Sequence, residues 1–175
     1  MADEYELMKK VLKLKKKGRV IDMGCGYGDD AVFLAKHGFE VTCVDNSESA
    51  IYETKKIASI GNVFIRIFKK DLREFRIDEK FDVALCSGVM HFISKEESLK
   101  LIQRMKKMTV QGGLNIIEGG VVKDEEKEKE RGYFRKDELR MIYHGWDILE
   151  YKETSTANMP SWHECVLLIA RKPFK

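Results

Sequence analysis

Apolar positions in this chain alternate between two spacings, and the alternation predicts its elements. Tyr5, Met8, Val11 and Leu12 stand three or four apart among lysines, which predicts an amphipathic helix over residues 1–17, closed by Gly18. Val20, Ile21 and Met23 then form a short strand, and Gly24, Gly26 and Gly28 mark a turn into a helix that starts at Asp29 and stops near His37 and Gly38. Residues 39–45 are a second strand. Ala50, Ile51, Thr54, Ile57 and Ala58 give the buried side of the next helix, with Ser47 as its N-cap and Gly61-Asn62 as its stop.

The second half keeps the same rhythm. Residues 63–68 and 81–87 are apolar strands, and the connection over 73–80 is too short for a long crossover helix. Ser94 and Glu97 form a capping box ahead of a helix with Leu101, Ile102, Met105 and Met108 on one side. Gln111 to Gly113 is a turn and residues 114–118 a fifth strand. Lys136 to Tyr143 is a helix with Leu139, Ile142 and Tyr143 inward, and Gly145 stops it. Residues 146–151 and 165–171 form a terminal antiparallel pair. Strands alternating with helices in this way predict an α/β fold.

A chain of 175 residues suits one domain, and 43% apolar against 35% charged residues is the balance of a globular protein. The net charge of +3 demands neither nucleic acid nor a membrane surface as partner. No apolar run approaches the roughly 20 residues that span a bilayer, and the first five residues lack a signal peptide's basic start, so the expected location is the cytoplasm. Cys25, Cys43, Cys86 and Cys165 are widely spaced without a CxxC pair, so no metal site is expected. Lys9, Lys10, Lys13 and Lys15 to Lys17 fit a solvated helix face better than an RNA-binding patch. The charged stretch within 119–132 reads as a mobile solvated loop, with a substrate lid as the second reading.

The glycine turn is the most constrained chemistry in the chain. Glycine at alternate positions allows positive φ and lets a ligand approach the main chain closely. A dinucleotide fingerprint places glycine at its first, third and sixth positions, but the sixth here is Asp29, whose charge would oppose a pyrophosphate at the helix start. Asp45 ends the second strand, where a carboxylate can accept hydrogen bonds from both hydroxyls of a ribose.

An acid two residues before the first glycine, with glycine at the first, third and fifth positions, resembles motif I of the class I S-adenosylmethionine-dependent methyltransferases. The resemblance implies S-adenosylmethionine as cofactor, over a loop of Gly24, Cys25, Gly26, Tyr27 and Gly28. It implies that Asp22 orients the site and that Asp45, with Asn46 beside it, holds the ribose. It also implies that Asp71 holds the adenine amine, that the Leu72 backbone meets a ring nitrogen, and that Ser87 ends motif IV. An ion pair with Lys69 or Lys70 competes for Asp71. The implied fold is a Rossmann-like three-layer sandwich with a seven-stranded, mostly parallel sheet whose last strand is antiparallel.

Residues 109–117, 134–151 and 168–172 are more narrowly similar to the tellurite-resistance, TehB-like branch, which implies a small thiol, tellurium or selenium acceptor. Ser87-Gly-Val-Met lacks the motif of amino-methylating nucleic-acid enzymes, and Cys86 lacks the preceding proline of cytosine-methylating ones, so no nucleic-acid partner is expected. His91 is the candidate general base. Tyr5, Trp162 and His163, with His91, are candidates for the acceptor pocket, each with ordinary packing as its competing role. The remaining alternatives are a cofactor-binding module without turnover and a nicotinamide-dependent oxidoreductase. The expected assembly is a monomer or homodimer.

Overall fold

The structure is a computed structural model that describes residues 5–122, 131–155 and 164–174. The chain divides into two compact units, Met1–Ile77 and Asp78–Lys175. Its seven strands form a sheet in the order β3-β2-β1-β4-β5-β7-β6, flanked by helices.

In the first unit, helix α1 (Glu6–Leu14) precedes β1 (Gly18–Met23), α2 (Asp29–Lys36), β2 (Phe39–Asp45), α3 (Glu48–Ile60) and β3 (Ile65–Lys69). Helix α1 ends three residues before its expected end at residue 17: Lys15 is already extended, and Gly18 belongs to the strand rather than to a helix cap, while residues 1–4 of the expected helix lie outside the described residues. Met8 and Val11 are its buried residues. Strands β1, β2 and β3 pair in parallel, with Asp22 opposite Cys43 and Asp45 opposite Lys69. The last four residues of β1 are all buried, as parallel strands covered on both faces require. Strand β3 starts at Ile65, two residues later than expected, and Phe64 just before it is exposed.

The second unit contains β4 (Phe81–Ser87), a 3-10 turn at Met90–Phe92, α4 (Lys95–Met108), β5 (Thr109–Val121), α5 (Glu138–Ile142), β6 (Asp147–Ser155) and β7 (Glu164–Arg171). The Ser94 hydroxyl accepts from the Glu97 backbone N–H, and the Glu97 carboxylate accepts from the Ser94 N–H at 2.9 Å. This is the capping box that the sequence announced. The expected turn at Gln111 to Gly113 is instead part of a thirteen-residue strand. Pairing with β4 jumps from Phe81 opposite Thr109 to Val83 opposite Leu114, so the extra residues bulge. Gly112, at φ 68°, absorbs that bulge while its N–H donates to the Lys172 carbonyl. The glycines thus bend a strand without ending it. Strand β7 runs antiparallel to both β5 and β6, as expected of the terminal pair.

Among the described residues no helix is long and apolar enough to cross a membrane.

Candidate functional site

The chain leaves β1 through three glycines in the left-handed region, Gly24 at φ 88°, Gly26 at 54° and Gly28 at 84°. Two of them do different work. A Cβ on Gly28 would stand 2.6 Å from Thr54 Cγ2, so packing against α3 excludes any side chain there. A Cβ on Gly26 would meet nothing within 4 Å, which leaves the main chain approachable from outside. The loop is tied down by Gly24 N–H donating to the Val44 carbonyl at 2.7 Å and by the Thr54 hydroxyl donating to the Gly26 carbonyl at 3.0 Å. Thr54 was legible only as one buried position on a helix. A hydroxyl on an otherwise apolar stripe was the signal of its second role.

Asp45 stands at the carboxyl end of β2 and is half-buried. Its Oδ2 accepts the Gly26 N–H at 3.0 Å and its Oδ1 accepts the Ser47 N–H at 2.9 Å. The carboxylate is thereby fixed against the glycine loop, yet each oxygen keeps a further lone pair for a ligand hydroxyl. Ser47, not Asp45, caps α3, accepting from Ala50 N–H at 3.3 Å. Asn46 is exposed beside it, Tyr27 is 61% exposed, and Cys25 is half-buried.

Asp22 is buried at the end of β1. Burial, then the charges of Asp30 and Asp45, push its pKa from 3.8 up to about 8, so it holds its proton at neutral pH. A protonated carboxyl can donate a hydrogen bond as well as accept one. Behind it, the Cys43 thiol is pushed far up by its hydrogen bond with Cys25 and then by burial, so it stays a thiol.

Asp71, past the end of β3, engages neither Lys69 nor Lys70. Arg73 holds it in a fork, with Nε at 2.9 Å from Oδ1 and Nη2 at 2.6 Å from Oδ2, and the Arg73 N–H adds a bond at 2.8 Å. That hydrogen bonding lowers the Asp71 pKa. Lys69 pairs with Glu48, and the Lys70 N–H donates to the Asp45 carbonyl at 2.9 Å. Leu72 is buried. The structure therefore gathers Asp22, Cys25, Asp45 and the glycines at one strand-end loop. Asp71 and Leu72 lie on the segment following β3.

In the second unit the Ser87 hydroxyl donates to Glu118 Oε2 at 2.6 Å. His91 sits in the 3-10 turn after β4, half-buried, with its ring 6.2 Å from that of Tyr133 at an interplanar angle of 13°. Burial first, and Arg131 second, lower its pKa, which leaves the imidazole neutral near pH 7 and able to accept a proton. Tyr5 stacks on Phe33 of α2 with centroids 4.6 Å apart, so a packing role accounts for its position. Trp162, His163 and most of the charged stretch, residues 123–130, lie outside the described residues. Glu118 was missed at the sequence level. A charge following the apolar run Leu114 to Ile117 was its signal.

The family described as "Tellurite resistance protein TehB" matches residues 2–163. The chain belongs to the TehB family. It is 29% identical over 148 residues to the probable S-adenosyl-L-methionine-dependent methyltransferase TehB of Haemophilus influenzae, covering 83% of this chain and 50% of that protein. It is 25% identical to hemagglutinin 1 of Eikenella corrodens, covering 99% of this chain and 61% of that one. The crystal structure of TehB from Haemophilus influenzae superposes with a TM-score of 0.84 at 24% identity, over 98% of this chain and 63% of that chain. The chain thus spans between half and about three fifths of the length of these curated relatives. The fold is that of the S-adenosylmethionine-dependent methyltransferases, and their cofactor is the one to test against the glycine loop.

The residues present fit it. Gly26 offers open main chain, Asp45 offers fixed acceptors for a sugar diol, and the first helix after the loop starts with Asp29 and Asp30, which suit a cationic ligand and oppose a pyrophosphate.

Proposed function

We propose that this chain is a methyltransferase domain that uses S-adenosylmethionine to methylate a small-molecule acceptor, a thiol, a chalcogen oxyanion or a similar nucleophile. The observation that carries the reading is Asp45 locked by two backbone N–H groups beside an unobstructed Gly26. When bound, the cofactor's sulfonium supplies an electrophilic methyl group. The chain's own contribution is to bind and orient. Gly24 to Gly28 present bare main chain, Asp45 accepts from the ribose hydroxyls, and the protonated Asp22, buried at the end of β1, orients the site without adding a negative charge. Asp71, Leu72, Asn46, Cys25 and Tyr27 belong to the same proposal as flanking cofactor contacts. Asp71 can serve the adenine only through lone pairs that Arg73 leaves free.

Displacement at a sulfonium needs alignment more than covalent help, and orientation alone accounts for roughly 7 to 11 kcal/mol in well-ordered systems. A base is required only where the acceptor arrives with its proton. His91, neutral near pH 7, is the candidate for that task, while Ser87 belongs with the proposed cofactor contacts. Tyr5, Trp162 and His163 remain proposals for the acceptor pocket, and a monomer or homodimer remains the proposed assembly.

Thermal unfolding with S-adenosylmethionine, S-adenosylhomocysteine and NAD tests the cofactor. A ligand at about 100 times its Kd adds about 2.7 kcal/mol of stability, which is visible as a raised Tm. Both adenosyl compounds are expected to raise it and NAD is not. A rise with NAD alone contradicts the proposal. Transfer of labelled methyl to thiols, selenite, tellurite and small amines then tests turnover. Cofactor binding with no transfer to any of them would favour a binding module without catalysis.

A further inference from the structure

The glycine loop carries a thiol of its own, and a second thiol meets it from β2. Cys25 stands between Gly24 and Gly26, half-buried, while Cys43 is buried in the strand. Both belong to the first unit. The main chain brings them together in two ways. The N–H groups of Gly24 and Cys25 both donate to the Val44 carbonyl, at 2.7 and 3.3 Å, so the loop is fastened to the residue that follows Cys43. Alternation along β2 then puts Cys43 on the same face as Asp45, whose Oδ2 accepts the Gly26 N–H, and the parallel ladder sets Cys43 opposite Asp22. The side chains complete the approach, because the two thiols are hydrogen-bonded to each other. Cys25 Sγ also lies 3.7 Å from the Gly26 carbonyl, to which it donates.

The two sulfurs differ in access and in acidity. Cys25 keeps part of its surface open, next to a Gly26 at which a Cβ would meet nothing within 4 Å, so a small solute reaches it from outside. Cys43 has no exposed surface. Its thiol pKa is pushed far up by the bond with Cys25 and then by burial, so Cys43 keeps its proton and is not the first to react. An accessible thiol in contact with a buried one is the arrangement in which one sulfur meets an oxidant and the other resolves it.

We propose that Cys25 and Cys43 close into a reversible disulfide on exposure to a hydroperoxide, and that closing it loosens the glycine loop's hold on its ligand. The bond stands independently of the cofactor reading above, and the loosening rests on it. In the first step the Cys25 sulfur takes one oxygen of the hydroperoxide, the O–O bond breaks, and a sulfenic acid and one water form from hydrogen peroxide. In the second, the Cys43 sulfur attacks the Cys25 sulfur, the S–O bond breaks, and the Cys43 proton leaves with the hydroxide as a second water. One peroxide is reduced and two thiols are oxidised. A covalent sulfur–sulfur bond is shorter than a hydrogen bond between thiols, so closing it draws Cys25 towards β2. Gly26 is the next residue, and its N–H holds Asp45, so open main chain and carboxylate lose their alignment together.

The test treats the full chain with hydrogen peroxide, digests it without reductant and maps the peptides by mass spectrometry, beside calorimetry of S-adenosylhomocysteine with the oxidised and the reduced protein. The map is expected to join Cys25 to Cys43, consuming two of the four thiols, and dithiothreitol should restore both. Cys43→Ser should stop at a sulfenic acid on Cys25 that dimedone captures, which a merely packed Cys43 would not cause, and the wild-type map decides the pairing even if that variant fails to fold. Oxidised protein should bind S-adenosylhomocysteine about tenfold more weakly, the equivalent of one misaligned hydrogen bond, with recovery in dithiothreitol. Pairing of Cys25 with Cys86 or Cys165, oxidation of Cys25 to sulfinic acid without a link, retention of all four thiols, or unchanged affinity after oxidation would overturn the proposal. Failure of the reduced protein to bind S-adenosylhomocysteine would overturn the cofactor reading and the loosening, while the peptide map still decides the bond.

Discussion

Two carboxylates on strands of the sheet, Asp45 at the end of β2 and Glu118 three residues before the end of β5, are held in contrasting ways. Asp45 is fixed by two main-chain N–H groups, from Gly26 and Ser47, which belong to the loop and helix start it organises. Glu118 is fixed by one side-chain hydroxyl, that of Ser87. A carboxylate bonded to backbone cannot move without its loop, so the first is preorganised for one ligand geometry. A carboxylate bonded to a serine can turn with the serine's rotamer, so the second can adapt. The difference predicts that damage around Asp45 costs stability and the proposed cofactor response together, whereas damage around Glu118 costs less stability.

The comparison is sharpened first by overfilling the rigid side. Gly28→Val would drive a branched side chain into Thr54 at a positive φ, and a loss of about 3 kcal/mol is expected in urea unfolding. An unchanged midpoint would show that α3 yields and that the loop is not clamped from below. Asp45→Ala comes next. Two bonds to a charged acceptor disappear, which should cost about 2 kcal/mol and abolish the Tm rise with S-adenosylmethionine. If stability falls but the ligand response survives, the ribose role is wrong and Asp45 is only a loop anchor.

The buried acid behind the loop gives a pH signature. Between pH 3.8 and about 8 the folded chain keeps a proton on Asp22 that the unfolded chain has released. Its contribution therefore falls as pH rises, by up to about 1.4 kcal/mol per pH unit, and levels off above the folded pKa. Asp22→Asn should remove that slope, so unfolding at pH 5, 7 and 9 should show the variant gaining on the wild type as pH rises. Parallel curves would mean that Asp22 is ionised in the fold.

The smallest effect is expected in the second unit. Ser94→Ala breaks the capping box of α4 and should cost about 1 kcal/mol with no change in the ligand-induced Tm rise. A lost ligand response would mean that the second unit's helix supports the cofactor more directly than proposed.

Much of the local structure around the glycine loop was legible in the sequence because its determinants are local. Glycine spacing, an acid ending an apolar run and a serine cap each act within a few residues, and β2 and the Ser47 cap appear as expected. Two kinds of partner were lost. Asp71 pairs with Arg73, only two residues on, but the lysines immediately before it looked more eligible, and the other misses depended on partners far along the chain. Thr54 reaches back 28 residues to Gly26. Gly112 and Gly113 looked like a turn because glycine marks turns and bulges alike, and only pairing with β4 and the chain end decides between them. Glu118 follows an apolar run as Asp45 does, but no glycine loop beside it drew attention to the charge.

The account's central claim concerns where the nucleoside binds. The most direct measurement is a crystal structure of the protein with S-adenosylhomocysteine. The account predicts the ribose diol within hydrogen-bonding distance of the Asp45 carboxylate and the main chain of Gly26 against the ligand. A ligand bound elsewhere, or an Asp45 side chain turned from the sugar, would contradict it.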